Sequence, residues 1–362
     1  MRGVRRSRVD WLYIGVIAAL VSVGLVMITS ATVAESGMAK LGKQLIGLPC
    51  LLVGLCVPVR AWRRATPWLL AAGVVGLLLL EVLPRPWVRP VNGATRWIFL
   101  PGIGQIQPSE FVKLAFVLFA ANLLDKRGAN LTPRDLGAFL GVLAALAGLI
   151  YLEPDLGTAL VVAGIALCML IAAGLDAKRL AAGVLILVVA VGGLAMTSHH
   201  QRERILAWWD PWKAEYRQDA GLQVVQSLTT ISQGGVAGVG PGRSVNKLHN
   251  RLPEAETDFI FAVLAAELGL VGATGVILLF GTLAWRGYQT AARAPTRYTS
   301  LVVTGITSWI AVQAGLNLAV VTDTVPNTGV PLPFISSGVS SLAALLIAVG
   351  IVIQLQGKAA PP

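Results

Sequence analysis

Residues 258–285 read DFIFAVLAAELGLVGATGVILLFGTLAW, an apolar run that contains two acids. A helix crosses the roughly 30 Å hydrocarbon core of a bilayer with about 20 apolar residues, so this run is long enough to span a membrane. Asp258 begins the run, whereas Glu267 lies well inside it. An ionisable side chain at that depth costs a few kcal/mol, and Glu267 must therefore face a cavity or a partner.

The whole chain has the composition of a polytopic membrane protein. Of its 362 residues, 55% are hydrophobic and 13% are charged, against roughly 25% charged in soluble domains. Counting apolar runs by the same length rule predicts an all-α fold with ten transmembrane helices in one domain, residues 1–362. The predicted spans are residues 11–32, 41–58, 66–83, 109–125, 136–152, 157–176, 180–197, 258–285, 299–321 and 340–356.

Basic residues form short clusters between these runs, and their distribution predicts the orientation. The clusters include RGVRRSR (residues 2–8), RAWRR (60–64) and KRGANLTPR (126–134). Cytoplasmic loops carry such an excess of Lys and Arg, so both termini are predicted to be cytoplasmic. This pattern accounts for the net charge of +11 without a nucleic-acid partner. The first apolar run is longer than a cleaved signal sequence requires and is predicted to remain as an anchor.

Two segments on the predicted outer side are too long or too irregular for simple loops. Residues 84–108 are rich in proline, glycine and tryptophan, and residues 198–257 form a large extracytoplasmic loop between spans seven and eight. Loops of that length are usually functional or disordered. Within the second segment, AGLQVVQSLTTIS (220–232) predicts a short amphipathic helix, and ILAWWDPW (205–212) is typical of a membrane interface.

Charged residues cluster at the outer ends of the predicted spans. Glu110 and Lys113 lie three residues apart, which favours either an ion pair within one helix, with Ser109 as its N-cap, or a polar site. Lys113 is also the predicted partner of Glu267. Asp155 either caps the sixth span, with Thr158 behind it, or belongs to the same outer site.

Three acids, Glu254, Glu256 and Asp258, precede the apolar run of residues 258–285. Acids in a first helical turn complement the helix dipole, which is the structural alternative. Together with outward-facing cations they form a mixed-charge site suited to an anionic lipid-linked substrate and to acid or base catalysis. Those cations are Arg96, Arg243, Lys247 and Arg251. Nearby, the prolines of residues 330–342 (VPLPFISSGVSSL) disfavour a regular helix and predict a bent segment that lines a cavity.

Five blocks of this sequence, taken together, resemble the signature blocks of the SEDS family, which includes FtsW, RodA and SpoVE. They occur in the family's order and cover nearly the whole chain. The blocks are NGATRWI (92–98), QPSEFVKLA (107–115), EPDLGTALV (153–161), LPEAETDFIFAVLAAELGLVG (252–272) and GVPLPFISSGVSSL (329–342).

The resemblance implies a peptidoglycan glycosyltransferase that polymerises lipid II outside the cytoplasmic membrane. Its implied partners are lipid II, the growing glycan strand, a class B penicillin-binding protein and other divisome or elongasome membrane proteins. The family's essential aspartate falls on Asp258, the predicted general base. A divalent cation such as Mg²⁺ or Mn²⁺ is expected to assist, with no organic cofactor. The predicted substrate-binding residues are Arg96, Lys113, Glu110, Arg243, Lys247, Glu256, Asp155, Glu267 and Ser336.

Glu256 marks a departure from the family pattern, which usually has histidine at this position. Beside Asp258, it is predicted to raise at least one carboxyl pKa by like-charge repulsion, while Glu254 is expected to be structural. Other details favour the division-type FtsW branch over RodA, among them Thr328 before Gly329. Two alternatives stay open: a lipid II flippase, and a non-catalytic scaffold of the cell-wall synthesis complex.

Overall fold

The computed structural model describes residues 9–31, 47–90, 94–100, 104–127, 131–197, 199–213, 215–216, 221–244 and 252–357. This part of the chain forms twelve α-helices and one two-stranded hairpin. The helices are α1 (Trp11–Ala31), α2 (Gly47–Cys56), α3 (Val59–Val82), α4 (Pro108–Arg127), α5 (Pro133–Leu152), α6 (Leu156–Ala172), α7 (Ala177–Thr197), α8 (His199–Trp209), α9 (Leu222–Gln233), α10 (Ile260–Ala292), α11 (Arg297–Val321) and α12 (Val339–Gln356). The strands are β1 (Ile98–Leu100) and β2 (Gly104–Ile106).

Each of the ten predicted spans overlaps one helix, namely α1 to α7 and α10 to α12. Six helices in the described ranges are long and apolar enough to cross a bilayer: α1, α3, α5, α10, α11 and α12. Two shorter apolar helices, α2 and α6, accompany them. The protein is therefore a multi-pass membrane protein with a mostly helical fold.

Helix α11 forms the centre of the bundle. It packs against α10, α6, α4 and α12, and Trp309 in its middle is fully buried. Apolar side chains occur all around this helix, which is the pattern of a helix surrounded by protein. Its start is fixed by a capping box, in which Thr296 and Thr299 exchange side-chain and backbone hydrogen bonds.

Helix α10 is interrupted at Gly269, where φ is 67° and ψ is −170°. Residues 235–240 lie against this break and hydrogen bond to the backbone groups that it frees. A side chain on Gly269 would collide with the backbone of Val236 and Gly238, and a side chain on Gly238 would collide with the backbone of Glu267 and Gly269. Both positions therefore require glycine. The four hydrogen bonds run from Leu270 N–H to Gly235 O (3.0 Å), Val271 N–H to Val236 O (3.2 Å), Val239 N–H to Ala266 O (3.0 Å) and Gly240 N–H to Glu267 O (3.0 Å).

The described part of the predicted large loop, residues 198–257, contains two helices that pack onto the bundle. Helix α9 confirms the predicted amphipathic helix, and its Ser227 hydroxyl donates to Val321 O at 2.8 Å. Helix α8 contains the first part of ILAWWDPW, where Trp208 Nε1 donates to Asp323 O at 3.0 Å. The exposed side chains of Trp209 and Trp212 are consistent with the predicted interfacial position, which stays a prediction.

The hairpin corrects the all-α prediction. Strands β1 and β2 pair antiparallel, with Ile98 opposite Ile106. This segment follows the Pro- and Gly-rich part of residues 84–108, where prolines remove the backbone donors that a helix needs. The hairpin leads directly into α4 and places Arg96 just before β1.

Candidate active site

The three acids that precede α10 lie in a turn rather than in the helix. Helix α10 begins at Ile260, after the N-cap residue Phe259, so the alternative that these acids complement the dipole from the first helical turn is wrong. The turn is held from two other elements. Ser336 Oγ donates to Thr257 O at 2.7 Å, Ser337 N–H donates to Glu256 O at 3.0 Å, and Asn317 Nδ2 donates to Asp258 O at 2.7 Å.

The side chain of Asp258 faces Arg96 across Gly329. A Cβ atom on Gly329 would lie 3.4 Å from Asp258 Oδ2 and 3.6 Å from Arg96 Nη1. Gly329 has φ +69°, a conformation that other residues rarely adopt. Glycine therefore leaves a small open position between a carboxylate and a guanidinium, and Asp258 itself is partly exposed.

Arg96 is held by the turn between α5 and α6. Its Nε donates to Glu153 O at 3.3 Å, and its Nη2 donates to Pro154 O. The Glu153 side chain is fully buried, and burial, with the charge of Asp155, raises its pKa to about 9. Glu153 is therefore neutral near pH 7 and does not cancel the charge of Arg96.

Asp155 has two roles in the structure. One carboxylate oxygen accepts from Thr158 N–H at 3.1 Å, which confirms the predicted cap of α6. The other accepts from Gln107 Nε2 at 3.3 Å. Asp155 also contributes to the electrostatic surroundings of Asp258, so the cap and the site share one residue.

Arg204 on α8 belongs to the same site and was not predicted from the sequence. It is half-buried, and its Nη1 donates to Asn327 O at 3.3 Å, two residues before Gly329. Charges on Asp258, Asp155 and Arg96 all act on it. No motif marks Arg204, because only the packing of α8 brings it here. We call Asp258, Arg96, Asp155, Arg204 and Gly329 the Asp258 site.

The surroundings of Asp258 shift its protonation toward neutral pH. Loss of solvent around the carboxyl group raises the pKa of Asp258 to about 7, and the Glu254 carboxylate adds to the rise. Arg96 and Arg204 oppose the shift. The prediction that Glu256 is the acid that perturbs Asp258 is therefore wrong. Glu254 is the acid whose charge raises the pKa of Asp258. Its carboxylate also accepts a hydrogen bond from the Thr257 hydroxyl at 2.6 Å.

Glu110 and Lys113 form the predicted ion pair at 2.7 Å, but it is almost completely buried. Lys113 Nζ also donates to Gln313 Oε1 at 2.8 Å, and Gln313 Nε2 donates to Pro331 O at 2.9 Å. The pair thus supports residues 330–338 through Gln313. Ser109 is not an N-cap, because α4 begins at Pro108 and the Ser109 hydroxyl is buried with no hydrogen-bond partner in the described part of the chain.

Glu267 lies away from Asp258, further along α10. Its carboxylate accepts from the Ser30 hydroxyl at 2.8 and 2.6 Å, and that hydroxyl accepts from Gly242 N–H at 3.1 Å. The predicted Lys113–Glu267 pair is wrong, since Lys113 bonds to Glu110 and Gln313. We call Glu267, Ser30 and residues 235–242 the Glu267 cluster.

Of the four predicted outward-facing cations, Arg96 is the one that lies in the Asp258 site as the structure describes it. Arg243 is exposed and follows the loop of the Glu267 cluster, with its Cδ 3.6 Å from where a Cβ on Gly240 would lie. Lys247 and Arg251 lie outside the described residues.

The donor set of the site bears on the expected divalent cation. Across the described ranges, no three or more His, Cys, Asp or Glu side chains are grouped so that they could hold a metal ion. Mg²⁺ at phosphate-binding sites is usually held by one or two carboxylates together with substrate phosphates and water. The described residues therefore form no all-protein metal site, and the expected Mg²⁺ or Mn²⁺ stays a prediction.

The fold and the Asp258 site define a multi-pass membrane protein with a charged site at the ends of its helices. The chain belongs to the FtsW, RodA and SpoVE family, because the family model described as "Cell cycle protein" matches residues 10–360.

Similar proteins agree with this assignment. Stage V sporulation protein E of Bacillus subtilis (strain 168) is 35% identical over 97% of this chain and 98% of its own length. A probable peptidoglycan glycosyltransferase FtsW of Halorhodospira halophila is 37% identical over 96% of this chain and 90% of its own length.

Solved structures show the same fold. A chain from a peptidoglycan synthase complex, studied for the coordination of polymerization and crosslinking, superposes with a TM-score of 0.79 and 28% identity over 98% of both chains. The rod shape determining protein RodA of Thermus thermophilus superposes with a TM-score of 0.73 and 26% identity, also over 98% of both chains.

Proposed function

We propose that this protein is a peptidoglycan glycosyltransferase that polymerises lipid II at the outer face of the cytoplasmic membrane. The observation that carries the proposal is the open position beside Gly329, with Asp258 on one side and Arg96 on the other. A chain of this family, whose relatives include probable peptidoglycan glycosyltransferases, would use that arrangement for acid–base chemistry next to an anionic leaving group.

In the proposed reaction, Asp258 is the general base. Its carboxylate removes the proton from the 4-hydroxyl of the acceptor sugar, and the hydroxyl oxygen attacks the anomeric carbon of the donor. The bond from that carbon to the lipid pyrophosphate breaks, and an α-linked donor gives a β-linked product without a covalent enzyme intermediate. A base with a pKa near the working pH is well suited to this step and contributes about 10²–10⁴-fold in rate.

Arg96 would stabilise the charge that develops on the leaving pyrophosphate. Its guanidinium donates to two backbone carbonyls, so neutral backbone groups orient it and its charge is retained. Fixed charges aimed at a developing anion are a large source of rate enhancement. Lys113 is too deeply buried to reach this position and would act by supporting residues 330–338.

The remaining predicted substrate contacts occupy different parts of the structure. Asp155 stands in the site, and Ser336 shapes it through the turn before α10. Arg243, Lys247 and Glu256 stay predictions. For Glu267, its hydrogen bonds favour a structural role over substrate binding. Mg²⁺ or Mn²⁺ also stays a prediction, tested by the dependence of polymerisation on added metal after treatment with a chelator.

The proposed topology has ten spans, cytoplasmic termini, and residues 198–257 as an extracytoplasmic loop within one domain. Contacts between helix ends support it. Asp10 and Arg286 pair at 2.7 Å, and Arg63 and Asp125 pair at 2.7 Å. Both pairs lie at the ends predicted to be cytoplasmic, whereas the Asp258 site gathers the ends predicted to face outward. Cysteine labelling at residues 60 and 212 from either side of the membrane tests this orientation.

A class B penicillin-binding protein is the proposed partner. Support comes from the similar chain in a complex that coordinates polymerization and crosslinking. A division role is proposed over elongation, because the curated relatives quoted above carry the names FtsW and SpoVE at 35–37% identity, whereas the RodA structure is 26% identical. Septal localisation of a fluorescent fusion tests the division role.

One assay separates the proposed enzyme from its alternatives. Purified protein is incubated with lipid II in detergent and in liposomes, with and without the penicillin-binding partner. Glycan polymer that disappears in Asp258→Asn supports the enzyme. Translocation without polymer indicates a flippase, and neither activity indicates a scaffold. The position of the site at helix ends already disfavours a transporter, whose substrate sites lie near the bilayer midplane.

A further inference from the structure

Arg204 is fixed at the edge of the Asp258 site by the packing of α8. Its Nη1 donates to Asn327 O at 3.3 Å, and Asn327 Oδ1 accepts from Gly329 N–H at 3.2 Å. One turn further along α8, Trp208 Nε1 donates to Asp323 O at 3.0 Å. Two hydrogen bonds therefore hold this face of α8 against the segment that contains Gly329.

Arg204 and Arg96 place two positive charges around one opening. Burial and the charge of Arg96 lower the pKa of Arg204, while the carboxylates of Asp258 and Asp155 partly offset this effect. Among the described residues, each guanidinium hydrogen bonds only to backbone carbonyls and neither forms a salt bridge. Like charges held together in this way repel each other, and an anion placed between them would relieve that repulsion.

The chemistry of the guanidinium group specifies the anion. An Arg side chain has five N–H donors, and the hydrogen bond to Asn327 O uses one of them. Planar guanidinium groups bind phosphate oxygens through two parallel hydrogen bonds. Two such groups, Arg96 beside Gly329 and Arg204 at Asn327, two residues earlier, match a diphosphate better than a single phosphate or a carboxylate.

We propose that Arg204 binds the pyrophosphate group of the lipid-linked donor, together with Arg96. This inference rests on the proposed glycosyl transfer and adds a substrate-binding residue to it. Arg204 comes from the loop between the seventh and eighth predicted spans, so that loop completes the donor site.

The experiment measures binding rather than turnover, so it is informative even if the protein forms no polymer. Undecaprenyl pyrophosphate and undecaprenyl phosphate are titrated against the purified full-length protein and its variants. Arg204→Gln removes the cation, and Arg204→Lys keeps the charge but loses the paired donors. Arg202→Gln is the matched control, because Arg202 lies on the same helix with an exposed side chain.

We expect Arg204→Gln to weaken undecaprenyl pyrophosphate binding about 10- to 100-fold, as expected for lost hydrogen bonds to a charged group. Binding of the monophosphate should weaken much less, so the preference for diphosphate shrinks. Arg204→Lys should fall between wild type and Arg204→Gln, and Arg202→Gln should match wild type. Excess phosphatidylglycerol should not displace the pyrophosphate.

Three results would overturn the inference. The first is unchanged pyrophosphate affinity in Arg204→Gln, and the second is an equal loss for both ligands, which would indicate only a loosened site. The third is displacement by phosphatidylglycerol, which would indicate a general lipid phosphate site. If the wild-type protein polymerises lipid II and any of these three results is obtained, the proposed function stands and the inference about Arg204 fails. If undecaprenyl pyrophosphate binds as expected but the wild-type protein forms no polymer, the proposed function fails and the binding site stands.

Discussion

Asp258 and Glu267 are two acids associated with one helix, and their surroundings differ sharply. Asp258 lies in a turn before α10, is partly exposed, and faces Arg96 across an open position. Glu267 is 1% exposed and accepts hydrogen bonds from Ser30. Both lie beside the loop of residues 235–242, which hydrogen bonds to the break in α10. The contrast teaches that depth in an apolar run does not by itself mark a reactive acid. A buried carboxylate with satisfied oxygens is structural, whereas an accessible one that faces a guanidinium across an open position can react.

The largest expected effect on stability is at the Glu267 cluster, through Gly269→Ala. The added Cβ would collide with the backbone of Val236 and Gly238, and alanine disfavours φ +67°. The loop should therefore undock, lowering the free energy of unfolding by about 3 kcal/mol or more. Thermal unfolding in detergent measures this change.

Gly275→Ala is the matched control for that substitution. Gly275 lies in the same helix, and a Cβ there would meet open space, so its stability should equal or exceed that of wild type. Equal unfolding temperatures for Gly269→Ala and wild type would show that the docked loop contributes nothing to the cluster.

The next effect is on the Asp258 site, through Gly329→Ala. A methyl group 3.4 Å from Asp258 Oδ2 and 3.6 Å from Arg96 Nη1 occupies the position proposed for the reacting hydroxyl. The rate of lipid II polymerisation should fall about 10- to 100-fold, since small displacements of reacting groups have effects of that size.

Gly174→Ala separates this steric effect from backbone strain. Gly174 also has a positive φ, +84°, but nothing lies near the position of its Cβ. It should show similar strain, about 1–2 kcal/mol, with wild-type activity per folded molecule. Equal losses of activity in the two variants would mean that strain, not occupation of the site, explains Gly329→Ala.

The smallest expected effect is a shift in the pH dependence of polymerisation, which distinguishes Glu254 from Glu256. Polymerisation should rise as the pH increases through about 7, because the base must lose its proton. Glu254→Gln removes a like charge, lowers the pKa of Asp258, and should move this acidic limb to lower pH by up to about one unit. Glu256→Gln should leave the limb in place. A shift with Glu256→Gln alone would restore the sequence-based prediction for that residue.

Much of the fold follows from the sequence because local rules decide it. Apolar length located a helix for every predicted span, and the Asp155 cap follows from its position before α6. The site depends on contacts between distant segments. Nothing local shows that Arg204 reaches Asn327, or that Ser30 bonds to Glu267. The choice of Glu254 over Glu256 depends on the turn itself, in which Glu254 adopts φ +54°. The hairpin of β1 and β2 was likewise not predicted, because residues 84–108 showed only an irregular, Pro- and Gly-rich composition.

The most direct test compares Asp258→Asn with Glu267→Gln in one polymerisation assay, with purified proteins, lipid II, the penicillin-binding partner, and rates normalised to folded protein. Asp258→Asn should lose about 10²–10⁴-fold in rate and unfold at the wild-type temperature. Glu267→Gln should keep its rate per folded molecule and lose about 1–3 kcal/mol of stability. Wild-type polymerisation by Asp258→Asn, or an equal loss of rate in a fully stable Glu267→Gln, would contradict this assignment of roles.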